Sequence, residues 1–264
     1  MTELSQVTPH IYRLVIPFLD IYTTVFFVST EQGAVLFDTG TYPSDIDGYI
    51  VPALKELAIT PESLKYVIVS HNHRDHGGGL ARFAQLYPDT AIAAGSNSCG
   101  ERVPGRQILT FGDGDLLMDH LQVVSMPGHT ADCIGLLDRR TKTLLSGDAL
   151  QLYGIYGSGD WGANITLIPE HLAMTRRLQQ MDMETVIASH DYLPCGFRAD
   201  GKQEVQHYIS QCADALGAIR DFLKQTPETD AQILADRYNA GSGLPTVSPR
   251  VIAAVQNAMK SRIL

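Results

Sequence analysis

The sequence predicts an α/β fold, with two sheet layers between helices and a helical C-terminal extension. Three observations carry the prediction. Short runs rich in β-branched and aromatic residues dominate the first forty positions, a succession of strands, then helix, then histidine-bearing loop occurs twice, and the last sixty or so residues turn to helical periodicity. With 264 residues, 44% of them hydrophobic, the chain is long enough to bury a substantial core.

The elements follow in order. IYRLVIPF and IYTTVFFVS, a turn at Glu31-Gln32-Gly33 and AVLFDTG read as antiparallel hairpins between Ile11 and Asp38. A helical stretch spans about Asp45 to Leu57, and Tyr66 to Ser70 (YVIVS) is a buried strand. Gly77-Gly78-Gly79 leads into a helix, LARFAQLY, followed by a strand, TAIAAG, and a polar loop through Gly105. The second half repeats the rhythm: HLQVVSMPGHT, CIGLLD, a turn at Arg139-Arg140-Thr141, KTLLSGDAL, a helix near Pro169 to Gln180, and ETVIASHD. From Gly201 the pattern is helical, with Ser248 placed as an N-cap before Pro249. Residues 1–200 therefore read as a catalytic domain and 201–264 as a helical cap packed on it.

Charge and cysteine usage narrow the function. A formal net charge of -9 opposes a nucleic-acid partner, which is held by neutralising phosphates. No apolar run approaches the roughly 20 residues of a membrane span, and MTELSQVTPHIYRL lacks a basic segment followed by an apolar core. The expectation is a soluble cytoplasmic protein without membrane association. Cys99, Cys133, Cys195 and Cys212 lie far apart and suggest neither disulfides nor a thiolate cage.

His71-Asn72-His73-Arg74-Asp75-His76 places four metal-ligand types in six residues directly after a strand. Residues two apart in extended chain point the same way, so His71 and His73 grip one ion, and the chain then turns to face Asp75 and His76 to a second position. Imidazole with carboxylate suits zinc, iron or manganese, and the lack of thiolate points to an open, reactive site rather than a closed structural one. Five of nine histidines sit at strand ends in company with Asp75 and Asp148, too many for chance gathering. His10, His120, His171 and His207 stand alone and read as structural or surface residues.

SHNHRDHGGG resembles the His-x-His-x-Asp-His signature of the metallo-β-lactamase superfamily, and the resemblance continues through Asp38 in LFDTG, His129 in MPGHT, Asp148 in LLSGDAL and His190 in ASHD. It implies a four-layered αβ/βα sandwich and a pair of zinc ions, with iron or manganese as the alternatives. By resemblance His71, His73 and His129 bind the first metal, Asp75, His76 and His190 the second, and Asp148 bridges them. Asp38 and Thr130 become residues that orient ligands, a turn-capping aspartate being the other reading of Asp38. The implied chemistry is attack of a metal-bridging hydroxide on a carbonyl, with Asp75 accepting a hydrogen bond from it.

An aspartate at the bridging position resembles the glyoxalase II, lactonase and thioesterase branches rather than the true β-lactamases. Acyl-homoserine lactonases carry a tyrosine three residues after that aspartate; here the position is Gln151. Tyr153, Tyr156 and Trp161, in QLYGIYGSGDWG, are the candidates for lining a substrate groove, an ordinary surface loop being the alternative. Glyoxalase II uses basic residues of its helical tail; Arg198, Lys202 and Arg237 are available here, but charged residues on helices are usually just a solvated face. The apolar positions Ile209, Leu216, Ile219, Phe222, Ile233, Leu234, Ile252 and Val255 fit packing on the main domain or on a second copy in a homodimer. The expected function is hydrolysis of a thioester or ester of a small-molecule or acyl-chain substrate, with lactone opening, or a non-catalytic metal-binding sensor or scaffold, as alternatives.

Overall fold

The computed structural model describes residues 3–157 and 159–264. They divide into two compact units, one running to Ser125 and taking in Ile134–Thr141, the other made of Met126–Cys133 and Lys142–Leu264.

The first unit holds a seven-stranded sheet in sequential order: β1 (Glu3–Thr8), β2 (Ile11–Phe18), β3 (Ile21–Thr30), β4 (Gly33–Phe37), β5 (Leu64–Val69), β6 (Ala91–Ala94) and β7 (Ile108–Thr110). The first four pair antiparallel, as their tight turns require. From β4 to β7 the pairing is parallel, which needs crossovers, and these carry α1 (Pro43–Asp45), α2 (Val51–Glu56), α3 (Arg74–Gly77) and α4 (Leu80–Leu86). The helical stretch expected over 45–57 runs from Pro43 to Glu56 with a π-helical turn at Ile46–Ile50, and at its start the Asp45 carboxylate accepts from the Thr41 and Tyr42 amides at 2.8 and 2.9 Å. Leu14, Phe27, Leu36, Val67, Val69 and Phe83 lie in one fully buried core beneath the crossovers. Burying a side chain of that size stabilises by roughly 1.5–3 kcal/mol. The unit also contains an antiparallel ladder of β8 (Leu116–Leu117), β9 (Leu121–Ser125) and β10 (Ile134–Asp138), whose first amide, at Ile134, donates to Ser70 O at 2.9 Å.

In the second unit β11 (Thr143–Leu145) pairs parallel with β12 (Thr185–Tyr192), which pairs antiparallel with β13 (Gly196–Asp200). β13 is invisible to a periodicity argument because GFRAD is half-buried through most of its length and has no alternating apolar face. Four helices complete the unit: α5 (Ile168–Leu178), α6 (Lys202–Leu223), α7 (Ala231–Ser242) and α8 (Pro249–Lys260). Asp230 caps α7 by accepting from the amides of Gln232 and Ile233, and Ser248 occupies the N-cap position of α8 without a side-chain cap bond. Leu216, Ile219, Leu234, Ile252 and Val255 share one core with Ile165, Ile168 and Leu172, so the residues after 200 are built into this unit together with α5. Ile233 stands apart at 42% exposure. Among the described residues no helix is long and apolar enough to cross a membrane.

Candidate metal centre

In the first unit β5 ends at Val69, and Ser70, His71 and His73 carry the chain into the short helix α3, where Asp75 and His76 lie. Two of the three glycines that follow are dictated by contact. A Cβ on Gly78 would lie 2.0 Å from Thr41 O, and one on Gly79 2.2 Å from Thr39 O, so only glycine lets this backbone close on residues 39–41. The closure is bonded: Thr39 N donates to His76 O at 2.7 Å and Gly78 N to Gly40 O at 3.0 Å. It presses His76 against Asp38.

Asp38 is fully buried with φ at +69°, a conformation aspartate tolerates better than most side chains. Its carboxylate accepts from Ser70 N (2.7 Å), Ser70 Oγ (2.9 Å) and His76 Nδ1 (2.7 Å). Burial pushes the Asp38 carboxyl up, while His76 and Ser70 pull the other way. Because the Ser70 hydroxyl donates to Asp38, its oxygen accepts from His71 Nδ1 at 3.0 Å. Both histidines are therefore held with Nδ1 protonated, the tautomer that leaves Nε2 as a metal ligand. His76 Nε2 lies 3.3 Å from Asp75 Oδ2, and the His71 ring is 4.6 Å from that of His73 and 4.3 Å from that of His76.

The second unit contains His129, Asp148 and His190. His129 follows Gly128, where a Cβ would meet His171 Nδ1 at 2.7 Å, so the loop lies directly on α5. His129 Nδ1 donates to Asn164 O at 2.7 Å, and Asn164 N donates to Gln151 Oε1 at 2.6 Å. Asp148 sits in the loop after β11, and His190 is within β12. One Asp148 oxygen is 3.3 Å from His190 Nε2 and the other 4.0 Å from His129 Nε2. A carboxylate with each oxygen turned to a different imidazole can be shared between two cations. Imidazole and carboxylate donors with their Nδ1 atoms tied back fit divalent zinc, iron or manganese.

The Thr130 hydroxyl, expected to orient a ligand, donates to Asp132 Oδ1 at 2.6 Å and lies 3.1 Å from Cys133 Sγ. Tyr156 is 69% exposed, while Trp161 lines a cavity of about 340 Å³ with Asp160, Asn164, Ser248 and Arg250. Neither Tyr153 nor Tyr156 is part of that lining. Arg198 pairs with Asp200 at 2.7 Å, and Lys202 pairs with Asp182 and Glu184, which marks them as a solvated face. Ser70, Gln151 and Asn164 escaped the sequence reading. Gln151 stands where the lactonases carry a tyrosine; its amide oxygen accepts from Asn164 N, thirteen residues away, and its amide nitrogen lies 3.0 Å from His129 Nδ1, twenty-two away.

Residues 20–190 match the family described as the metallo-beta-lactamase superfamily. The chain belongs to that superfamily. Within the metallo-beta-lactamase superfamily it is 34% identical over 180 residues to a hydroxyacylglutathione hydrolase of Pseudomonas putida, a match covering 64% of each chain and so less than two thirds of that relative. It is 27% identical over 157 residues to an atrochrysone carboxyl ACP thioesterase of Emericella nidulans, covering 58% of this chain and 48% of the other. A metallo-beta-lactamase family protein from Thermus thermophilus superposes with a TM-score of 0.70 at 18% identity, covering 97% of this chain and 95% of that one. The mixed α/β fold with C-terminal helices is thus the metallo-beta-lactamase fold, as the signature implied.

Proposed function

We propose that the protein is a hydrolase holding two zinc ions and cleaving the thioester bond of a small-molecule or acyl-chain substrate. The observation that carries the reading is Asp148, with one carboxylate oxygen facing His190 and the other facing His129. On this reading His71, His73 and His129 hold one ion, Asp75, His76 and His190 the other, and Asp148 both. Bound there, two dications supply the Lewis acidity that polarises a carbonyl and brings a water pKa down to about 7.

The chain's own residues do the rest. Asp38 and Ser70 fix the tautomers of His76 and His71, and Asn164 fixes that of His129. Asp75, on the first turn of α3, accepts a hydrogen bond from the attacking water. Cys133 and Cys212 do not compete as nucleophiles, since burial pushes both thiols up to about 12. All four cysteines are free, which suits the reducing cytosol expected from their spacing. The cavity beside Asn164 offers the aromatic face of Trp161 and the charge of Arg250 to the group carried by the thioester. Two of the relatives are named for thioester substrates, a hydroxyacylglutathione and an acyl carrier protein conjugate, and this supports the thioester over the lactone. Gln151 supports it too, because its amide is engaged by Asn164 and offers no hydroxyl to a lactone.

The test is kcat/KM of the zinc-loaded protein against matched acyl thioesters, a glutathione thioester, acyl-homoserine lactones and a cephalosporin. A thioester preference abolished by a chelator and restored by zinc is expected. A lactone or cephalosporin preference would overturn the substrate class, and hydrolysis of none of them would return the protein to the sensor or scaffold reading.

A further inference from the structure

Two histidines that read as structural in the sequence meet a carboxylate in the first unit. His10 lies in the turn between β1 and β2, His120 in the turn before β9, and Asp138 at the last position of β10. One ligand atom from each lies within 4.8 Å of the others. His10 Nε2 is 2.5 Å from Asp138 Oδ2, and the two imidazole rings meet edge-on with centroids 6.2 Å apart. Asp138 is 1% exposed and also accepts from Arg140 N at 3.0 Å and Thr141 Oγ1 at 2.6 Å, which holds its carboxylate in place.

The decisive atom is His120 Nε2. The residue is 5% exposed and its Nδ1 donates to Met118 O at 2.5 Å, so Nε2 carries a lone pair. That nitrogen is buried with no hydrogen-bond partner. A buried acceptor without a donor is costly, and buried polar atoms in folded proteins are rarely left so. A cation is the occupant that satisfies a bare imidazole nitrogen, a carboxylate oxygen and a second imidazole together.

We propose that His10, His120 and Asp138 bind one divalent first-row transition-metal ion of the zinc class, additional to the proposed catalytic pair. Two imidazoles with one carboxylate select such an ion over calcium or magnesium, which take oxygen ligands. The place is distinct from the histidine signature. Ile134, at the start of β10, is bonded to Ser70, whereas Asp138 closes the same strand four residues later, about 13 Å away at about 3.3 Å per residue. Access is from one side, through His10, whose side chain is 23% exposed. The ion would clasp β1 and β2 to the β8–β10 ladder across 128 positions of sequence, a structural role.

The test uses the full chain, stripped of metal and re-equilibrated with zinc, with zinc per chain counted by mass spectrometry in the parent and in His10→Gln. His10 is partly exposed, so the substitution leaves the core intact. The variant is expected to bind one zinc fewer than the parent, to keep its hydrolytic rate within about twofold, and to lose a zinc-induced rise in Tm of several degrees. Because the readout is a difference of one ion, it does not depend on how many ions the signature histidines hold. In the unmodified protein, the His10 and His120 ring resonances are expected to shift saturably with zinc. Equal zinc content in parent and variant, or ring resonances unmoved by zinc, would overturn the proposal and leave the cluster as a hydrogen-bonded clasp around a water.

Discussion

The Asp38 carboxylate accepts the Nδ1 proton of His76 at 2.7 Å, and both side chains are wholly shielded from solvent. The bond fixes ring orientation and protonation from behind, so that His76 faces forward through Nε2 without any conformational search.

Asp38→Asn isolates the charge of that contact. Asparagine tolerates the φ of +69°, so the backbone persists while the acceptor weakens. Zinc affinity is expected to drop about 10- to 100-fold, measured by competition with a chromophoric chelator. Asp38→Ala is expected to add a stability loss of about 1–3 kcal/mol, since alanine leaves Ser70 N and His76 Nδ1 without their acceptor.

Gln151→Leu removes the acceptor of Asn164 N and so loosens the carbonyl that holds His129. Zinc affinity and kcat/KM are expected to fall together by about tenfold or more, read by chelator competition and thioester turnover. Gln151→Tyr is expected to show the same loss and no gain of lactonase activity, because the side chain serves the ligand shell rather than the substrate.

His171 makes stability depend on pH. Burial holds its imidazole down at about 4 against an ordinary 6.5, with no hydrogen-bond partner on either ring nitrogen. The folded chain keeps the ring neutral while the unfolded chain takes up the proton. Stability from this group is present above pH 6.5 and is lost as pH falls through that value towards 4, by about 3 kcal/mol in all. Denaturant unfolding of the parent and of His171→Leu at about pH 7, 5.5 and 4 checks it: the difference between the two should change steadily as the pH falls, with the parent losing stability that the variant keeps. A constant difference would refute the assignment.

Gly78→Ala is expected to destabilise by about 3 kcal/mol or more, because its Cβ would stand 2.0 Å from Thr41 O and 2.4 Å from Arg74 O. Gly48→Ala, where nothing lies within 4 Å, is the control and should be neutral or stabilising by up to about 1 kcal/mol. Thermal unfolding of both variants measures the contrast.

Strands that pair locally and helices with a clear apolar stripe were legible in the sequence, β2 to β4 and α6 to α8 among them, because periodicity and tight turns are local properties. The histidine signature was legible for a different reason: four ligand types in six residues have little other chemistry available. Ser70, Asn164 and Gln151 were not, since a serine at a strand end or a glutamine in a loop acquires meaning only from the partner that folding brings to it. His10, His120 and Asp138 escaped for the same reason, each being ordinary in its own segment.

The loop that carries Trp161 is stapled to the chain between α7 and α8: Thr246 N donates to Gly159 O at 2.9 Å, Gly162 N donates to Thr246 O at 3.0 Å, and a Cβ on Gly162 would lie 2.5 Å from that same oxygen. Cavity wall and tail are thus one mechanical piece. Anyone grafting a new selectivity onto this scaffold must transplant the two segments as a pair, since a loop moved alone would arrive without the anchor that gives it shape.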